Sequence, residues 1–193
     1  MGGFTSNYFQ SNNLNLHYIN YKTDAIKPLI MLHGMRSYAQ SWNDVADQLI
    51  TDFDVYALDQ RGRGESDWSP DQNYDTQAYV DDLTNFINTK GFNNLCLMGH
   101  SMGGVNSIVF ASKHPEIVES LVIVDIGPSA ATSTGGARIN QELSNTPKEF
   151  DSLEDVKIFW RKQRPSISEH ALNERVNFTI KQLDSGKYGF KWD

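Results

Sequence analysis

Leu95-Cys96-Leu97-Met98-Gly99-His100-Ser101-Met102-Gly103-Gly104 is the stretch on which the reading of this chain turns. An apolar run, Leu95 to Met98, leads into Gly99-His100-Ser101-Met102-Gly103. A helical pattern follows at once, with Val105, Ile108 and Val109 apolar. A G-x-S-x-G pattern between a strand and a helix is a nucleophile elbow. The residue types follow from the geometry. A sharp strand-to-helix turn forces Ser101 into a strained backbone conformation. Gly99 and Gly103 lack Cβ atoms, so strand and helix can approach closely. The Ser101 Oγ is expected to project beyond the strand end. The Met102 N–H, at the new helix N-terminus, is expected to face any oxyanion formed there.

Upstream, Pro28 starts a buried strand, Leu29 to Leu32, which ends in His33-Gly34-Met35. A strand ending in His-Gly before a helix matches a loop that supplies the second oxyanion donor, here the Met35 N–H. A backbone donor needs no particular side chain. His33 is read as structural, fixing the loop by hydrogen bonds. Trp42, Val45, Ala46 and Leu49 then lie on one apolar helix face. Phe53 to Leu58 is a further strand and ends in Asp59-Gln60-Arg61-Gly62-Arg63-Gly64-Glu65-Ser66. In that polar run two glycines bend the chain, and Asp59 and Arg61 are expected to pin it with charged hydrogen bonds. Asp75 or Thr76 caps the next helix. Tyr79, Val80, Leu83, Phe86 and Ile87 form its buried face, and Gly91 ends it. Residues 8–21, broken by Ser11-Asn12-Asn13, read as an antiparallel hairpin with His17 as a sheet residue. Leu121 to Val124 is a near-continuous apolar strand, expected to be covered on both faces, and runs into Asp125.

Composition narrows the function class. The chain has 193 residues, 39% hydrophobic and 21% charged, enough to bury a sizeable core. Its net charge of −7, from 17 basic and 24 acidic residues without a basic cluster, argues against nucleic acid or an anionic membrane as partner. The one cysteine, Cys96, lies in an apolar strand, so no disulfide framework is expected. No apolar run reaches transmembrane length, and the N-terminus lacks a signal-peptide pattern. Met1 to Ser6 fits a loose myristoylation pattern of a kind common by chance. The expected location is cytoplasmic.

The succession of hairpin, strand and helix, with motifs at the C-terminal ends of the strands, predicts a doubly wound, mostly parallel α/β sheet. The chain resembles the α/β-hydrolase fold family over essentially its whole length. The resemblance is carried by His33-Gly34, by Asp59 to Ser66, by Gly99 to Gly103 and by Leu121 to Pro128. It implies a core of six strands over residues 1–128 and a helical cap over 129–193. Serine at the nucleophile position argues against the epoxide hydrolase and haloalkane dehalogenase branches, which use Asp there. The cap opens with the small-residue stretch Ser129 to Gly136. Ser152-Leu153-Glu154-Asp155 and Ser166-Ile167-Ser168-Glu169 resemble capping boxes. The first precedes Val156, Phe159 and Trp160. The second precedes a helix carrying Leu172, Val176, Ile180 and Leu183, with Gly186 ending it. Phe159, Trp160 and Phe178 are candidates both for cap packing and for lining a substrate pocket.

A nucleophilic serine needs a base and an acid that orients the base. In the family the acid follows the nucleophile and the histidine comes last, beyond the cap. None of His17, His33, His100, His114 and His170 occupies that late position. The expectation is a chain lacking the family's last strands and the catalytic histidine, silent and aggregation-prone as it stands. Asp125, 24 residues after Ser101, is the acid candidate. Most of the family places the acid one strand later. A subset resembling 2-(acetamidomethylene)succinate hydrolase and some small-acyl esterases places it here, and this chain resembles that subset. The implied function is a cofactor-free, metal-free serine hydrolase of a carboxylic ester or related small-molecule acyl compound. Amide or carbon–carbon bond hydrolysis on the same machinery, and a non-catalytic binding module or inactive fragment, remain as alternatives.

Overall fold

The computed structural model describes residues 3–21, 23–127 and 144–193. Pro128 and the stretch Ser129 to Gly136, with the expected domain boundary between 128 and 129, lie outside the described residues, as do Met1 and Gly2. The chain divides into two compact units, residues 1–126 with 192–193, and residues 127–191.

The first unit is built on one six-stranded sheet. Its strands are β1 (Phe4–Ser11), β2 (Leu14–Tyr21), β3 (Pro28–Leu32), β4 (Asp54–Leu58), β5 (Leu95–His100) and β6 (Val118–Val124), in the spatial order β1-β2-β4-β3-β5-β6. β1, β2 and β4 pair antiparallel, whereas β4, β3, β5 and β6 are parallel. The parallel strands are joined by α1 (Asn43–Ala46), α2 (Thr76–Lys90) and α3 (Met102–Lys113). The chain leaves β3 toward β4 on one side and returns to β5 on the other. The ends of β3 and β5 therefore flank the point where the winding reverses, the usual crevice of an open α/β sheet.

The apolar runs of the inner strands are explained by burial on both faces. Ile30 and Leu32 pack with Leu83, Phe86, Leu97 and Phe110 on one side, while Leu29 and Met31 pack with Trp42, Ala46, Val55 and Cys96 on the other. Alternate residues of a strand face opposite ways, so a strand buried twice has no polar positions to spare. Each such side chain contributes about 1.5–3 kcal/mol when withdrawn from water. α2 is capped by Asp75, whose carboxylate accepts the Ala78 N–H at 2.7 Å. It stops at Gly91, whose φ of 69° gives the left-handed turn that ends a helix.

Two expectations change here. α1 is a single turn preceded by a 3-10 turn, Ala39–Trp42. The tighter winding shifts the phase, so Trp42 and Ala46 are buried while Val45 faces outward. β6 is an edge strand and is not covered on both faces: Leu121, Val122 and Val124 are exposed among the described residues.

The described part of the second unit holds α4 (Leu153–Gln163), α5 (Glu169–Thr179) and a three-stranded antiparallel sheet. The sheet strands β7 (Glu149–Phe150), β8 (Ile180–Gln182) and β9 (Tyr188–Phe190) lie in the order β7-β9-β8. Ser152 and Ser168 cap the two helices by accepting the N–H of Asp155 and Ala171, each at 3.2 Å. The helix expected to run through Ile180 and Leu183 ends at Thr179 instead. Ile180 turns into β8 and pairs with Phe190, and Gly186 sits in the hairpin turn with φ 81°. The unit is thus mixed α/β rather than purely helical. Phe159 and Trp160 join Phe150 and Phe190 in an aromatic cluster with ring centroids 5.2–6.0 Å apart. Arg175 lies over the Trp160 ring at 4.6 Å.

Candidate active site

β5 ends at His100, and the chain turns into α3 through a single residue, Ser101, with φ 49° and ψ −113°. That conformation costs a non-glycine residue about 1–3 kcal/mol and persists only where its surroundings enforce it. The Ser101 N–H donates to the Val124 carbonyl at 2.9 Å, and the Val105 N–H donates to the Ser101 carbonyl at 3.0 Å. The first bond ties the turn to β6, and the second starts α3. Gly103 supplies the close approach. A Cβ there would sit 2.6 Å from the Leu32 carbonyl carbon and 2.7 Å from the His33 oxygen. No side chain fits between α3 and the end of β3.

The loop after β3 lies against this turn. A Cβ placed on Gly34 would meet the His100 ring and come within 3.3 Å of the Ser101 Cβ. Met35 follows Gly34, and Arg36 has φ 58°, with the Ser37 N–H donating back to the Gly34 carbonyl at 3.2 Å. Met102 opens α3, where first-turn N–H groups have no intrahelical partner. Ser101, Met35 and Met102 therefore gather at the ends of β3 and β5.

His33 holds the loop in place. Its Nδ1–H donates to the Gly34 carbonyl at 2.8 Å, and its Nε2 accepts the Gln60 N–H at 3.1 Å. The Gln60 side chain donates to the His33 carbonyl at 2.6 Å and accepts from Asn106 of α3 at 2.7 Å. Complete burial pushes the imidazole down to about 4. His33 is a neutral strut with both ring nitrogens occupied. Gln60 and Asn106 were not singled out in the sequence. The available signal was an amide, Asn106, one turn beyond Gly103 in a helix whose other buried residues are small or apolar.

The run from Asp59 to Ser66 is anchored from three elements. The Asp59 carboxylate accepts from the Ala39 N–H at 2.6 Å, the Glu65 N–H at 3.1 Å and His17 Nδ1 at 2.7 Å. Arg61 makes a buried bidentate pair with Asp82 of α2, at 2.6 and 2.7 Å. These are the charged hydrogen bonds expected of Asp59 and Arg61.

Asp125 follows β6 directly, with φ 56°. Its carboxylate is 85% exposed and lies 3.6 Å from His100 Nε2. Among the described residues no histidine is hydrogen-bonded to the Ser101 hydroxyl. His17 is committed to Asp59, His114 stacks on Phe110 at 4.6 Å, and His170 lies beside Glu174 in the second unit. Phe159 and Trp160 belong to that second unit as well. Among the described residues no three His, Cys, Asp or Glu side chains come together to hold a metal, and no helix is long and apolar enough to cross a membrane.

The family model described as alpha/beta hydrolase fold matches residues 27–183. A 2-(acetamidomethylene)succinate hydrolase from Mesorhizobium japonicum is 28% identical over 169 residues, covering 87% of this chain and 60% of that protein. An esterase from Mycobacterium tuberculosis is also 28% identical over 169 residues, covering 86% of this chain and 56% of that protein. The chain thus spans just over half of the length of these curated relatives. The crystal structure of an E-2-(acetamidomethylene)succinate hydrolase superposes with a TM-score of 0.82 at 27% identity, over 97% of this chain and 69% of that one. With the match to the family model running through the loop after β3, the turn at Ser101 and most of the second unit, this chain belongs to the alpha/beta hydrolase fold family.

Proposed function

We propose that the protein is a serine hydrolase of carboxylic esters or related small acyl compounds, with Ser101 as nucleophile. The observation that carries the reading is the Ser101 backbone, at φ 49° and ψ −113° between β5 and α3 and packed beside Gly34. A strained turn of this kind presents a hydroxyl at a helix N-terminus, where developing negative charge is favoured. In this reading Ser101 Oγ attacks the acyl carbon, and the Met35 and Met102 N–H groups receive the oxyanion. Asp125 orients the imidazole that takes the serine proton. His33 is excluded from that role by its two hydrogen bonds, and His17 because Asp59 and Ser6 occupy its two ring nitrogens. The reading leaves the identity of the base to the test of His100, which lies 3.6 Å from Asp125. The hydrolase and esterase names of the relatives support the reaction class.

The test is fluorophosphonate labelling of the intact protein together with turnover of p-nitrophenyl esters. The expected result is a stoichiometric adduct on Ser101 and loss of turnover on labelling. A folded protein that neither takes the label at Ser101 nor cleaves the ester overturns the reading in favour of a binding module.

A further inference from the structure

A second serine is wired to a histidine and an aspartate, far from the elbow in sequence. Ser6 lies on β1, one of the two edge strands of the sheet among the described residues, and is exposed. Its Oγ is 2.7 Å from His17 Nε2, and His17 Nδ1 is 2.7 Å from Asp59 Oδ2. His17 and Asp59 are 1% and 2% exposed. An ionised carboxylate only accepts, so the Nδ1 proton belongs to the bond with Asp59, and Nε2 is left to accept from the Ser6 hydroxyl. Asp59 is fixed in turn by the Ala39 and Glu65 N–H groups. The backbone N–H of His17 donates to Ser66 Oγ at 2.8 Å, and Ser66 Oγ donates to the backbone carbonyl of Asp59 at 2.6 Å, which fixes the two main chains beside each other. With Nδ1 on Asp59 and Nε2 on Ser6, the imidazole is held in one tautomer and one orientation, the arrangement that activates a serine. Tyr8, on the same face of β1, sets its half-exposed ring 5.2 Å from the His17 ring. That ring forms an apolar wall beside the hydroxyl.

The geometry points to Ser6 as a second acyl acceptor for small activated acyl groups, with His17 as its base and Asp59 orienting the base. Ser6 Oγ attacks the carbonyl carbon of an aryl ester, and an Oγ–C bond forms. The hydroxyl proton passes to His17 Nε2, and the bond from carbon to the aryl oxygen breaks. The aryl oxide leaves with the bonding electron pair, and the imidazolium returns its proton to solvent. The array supplies proton removal alone, so the expected event is one acylation per chain rather than turnover. This does not depend on the chemistry at Ser101.

The experiment treats the intact protein carrying Ser101→Ala with p-nitrophenyl acetate and maps acetyl groups by peptide fragmentation. The adduct is expected on Ser6 at least about tenfold above the exposed Ser185 in the same digest, and absent in Ser6→Ala. His17→Gln should slow it by about a hundredfold, the lower end of what a positioned base supplies. Equal acetylation of Ser6 and Ser185 overturns the proposal even if His17→Gln fails to fold. So does a folded His17→Gln protein that labels Ser6 at the original rate. The Ser101→Ala background keeps this outcome separate from that of the elbow serine.

Discussion

The backbone N–H of Ser101 donates to the carbonyl of Val124 at 2.9 Å, which places the turn at Ser101 one residue away from Asp125. Both Ser101 and Asp125 have positive φ, 49° and 56°. The two strand ends are therefore bent at the same level of the sheet, and each bend presents a side chain there. If Asp125 is the orienting acid, Asp125→Asn should lower kcat for an aryl ester by roughly ten-thousandfold with the fold unchanged. His100, 3.6 Å from Asp125, separates two versions of the site. His100→Asn is expected to cost less than about a hundredfold in kcat, below what loss of a positioned base removes. A larger loss in steady-state assays assigns the base to His100.

Ser101 itself links strain to chemistry. Ser101→Ala should reduce kcat by about a millionfold, as removal of a nucleophile does in serine proteases, while keeping the strained backbone. Ser101→Gly should be equally inactive but more stable than Ser101→Ala, because glycine accepts positive φ at little cost. The gain is about 1 kcal/mol once the extra unfolded-state entropy of glycine is subtracted. For a chain of this size that is a rise in Tm of about 2–4 °C. Parallel thermal melts of the two variants check it, and a lower Tm for Ser101→Gly contradicts the strain argument.

His33 makes stability depend on pH in a stated direction. Burial holds the folded imidazole at about 4, below its ordinary value of 6.5. Between those values the unfolded chain binds a proton that the folded chain refuses. Stability therefore falls as the pH drops from about 6.5 toward 4, by a total on the order of 3 kcal/mol. Urea unfolding at pH 7 and pH 4.5 should show a smaller difference in His33→Gln than in the parent. An unchanged difference removes His33 from the acid response.

How much of this was legible in the sequence depends on the range of the interactions. The elbow was legible because Gly99, Ser101 and Gly103 report one local turn, and the turn requires those residue types. The α2 cap and stop, Asp75 and Gly91, were legible for the same reason. The helix drawn through Ile180 and Leu183 was not. Their spacing after Leu172 and Val176 suits a helix, but pairing of Ile180 with Phe190 across a hairpin takes precedence. The contact between His17 and Asp59 joins residues 42 positions apart, and that between Gln60 and Asn106 joins residues 46 apart. No local pattern carries such pairings. Leu121 to Val124 reads as a doubly covered strand by composition alone, because apolarity reports a capacity for burial and not the neighbour that provides it.

The exposed side chains of β6 bear on how this polypeptide behaves in solution. Among the described residues β6 is the last strand of the sheet, and Val122 and Leu121 are 43% and 37% exposed. An apolar edge strand offers both unpaired backbone groups and an apolar face to a second copy. The polypeptide is therefore expected to self-associate at micromolar concentrations. Val122→Lys should reduce this, since an edge lysine must give up its hydration if another strand is to pair there. Because Val122 is already exposed, the substitution is expected to change folding stability by no more than about 0.5 kcal/mol. Size-exclusion chromatography with light scattering measures the monomer fraction of both forms. A parent that is monomeric across the concentration series, or a Val122→Lys form that associates equally, shows that β6 is not the sticky edge.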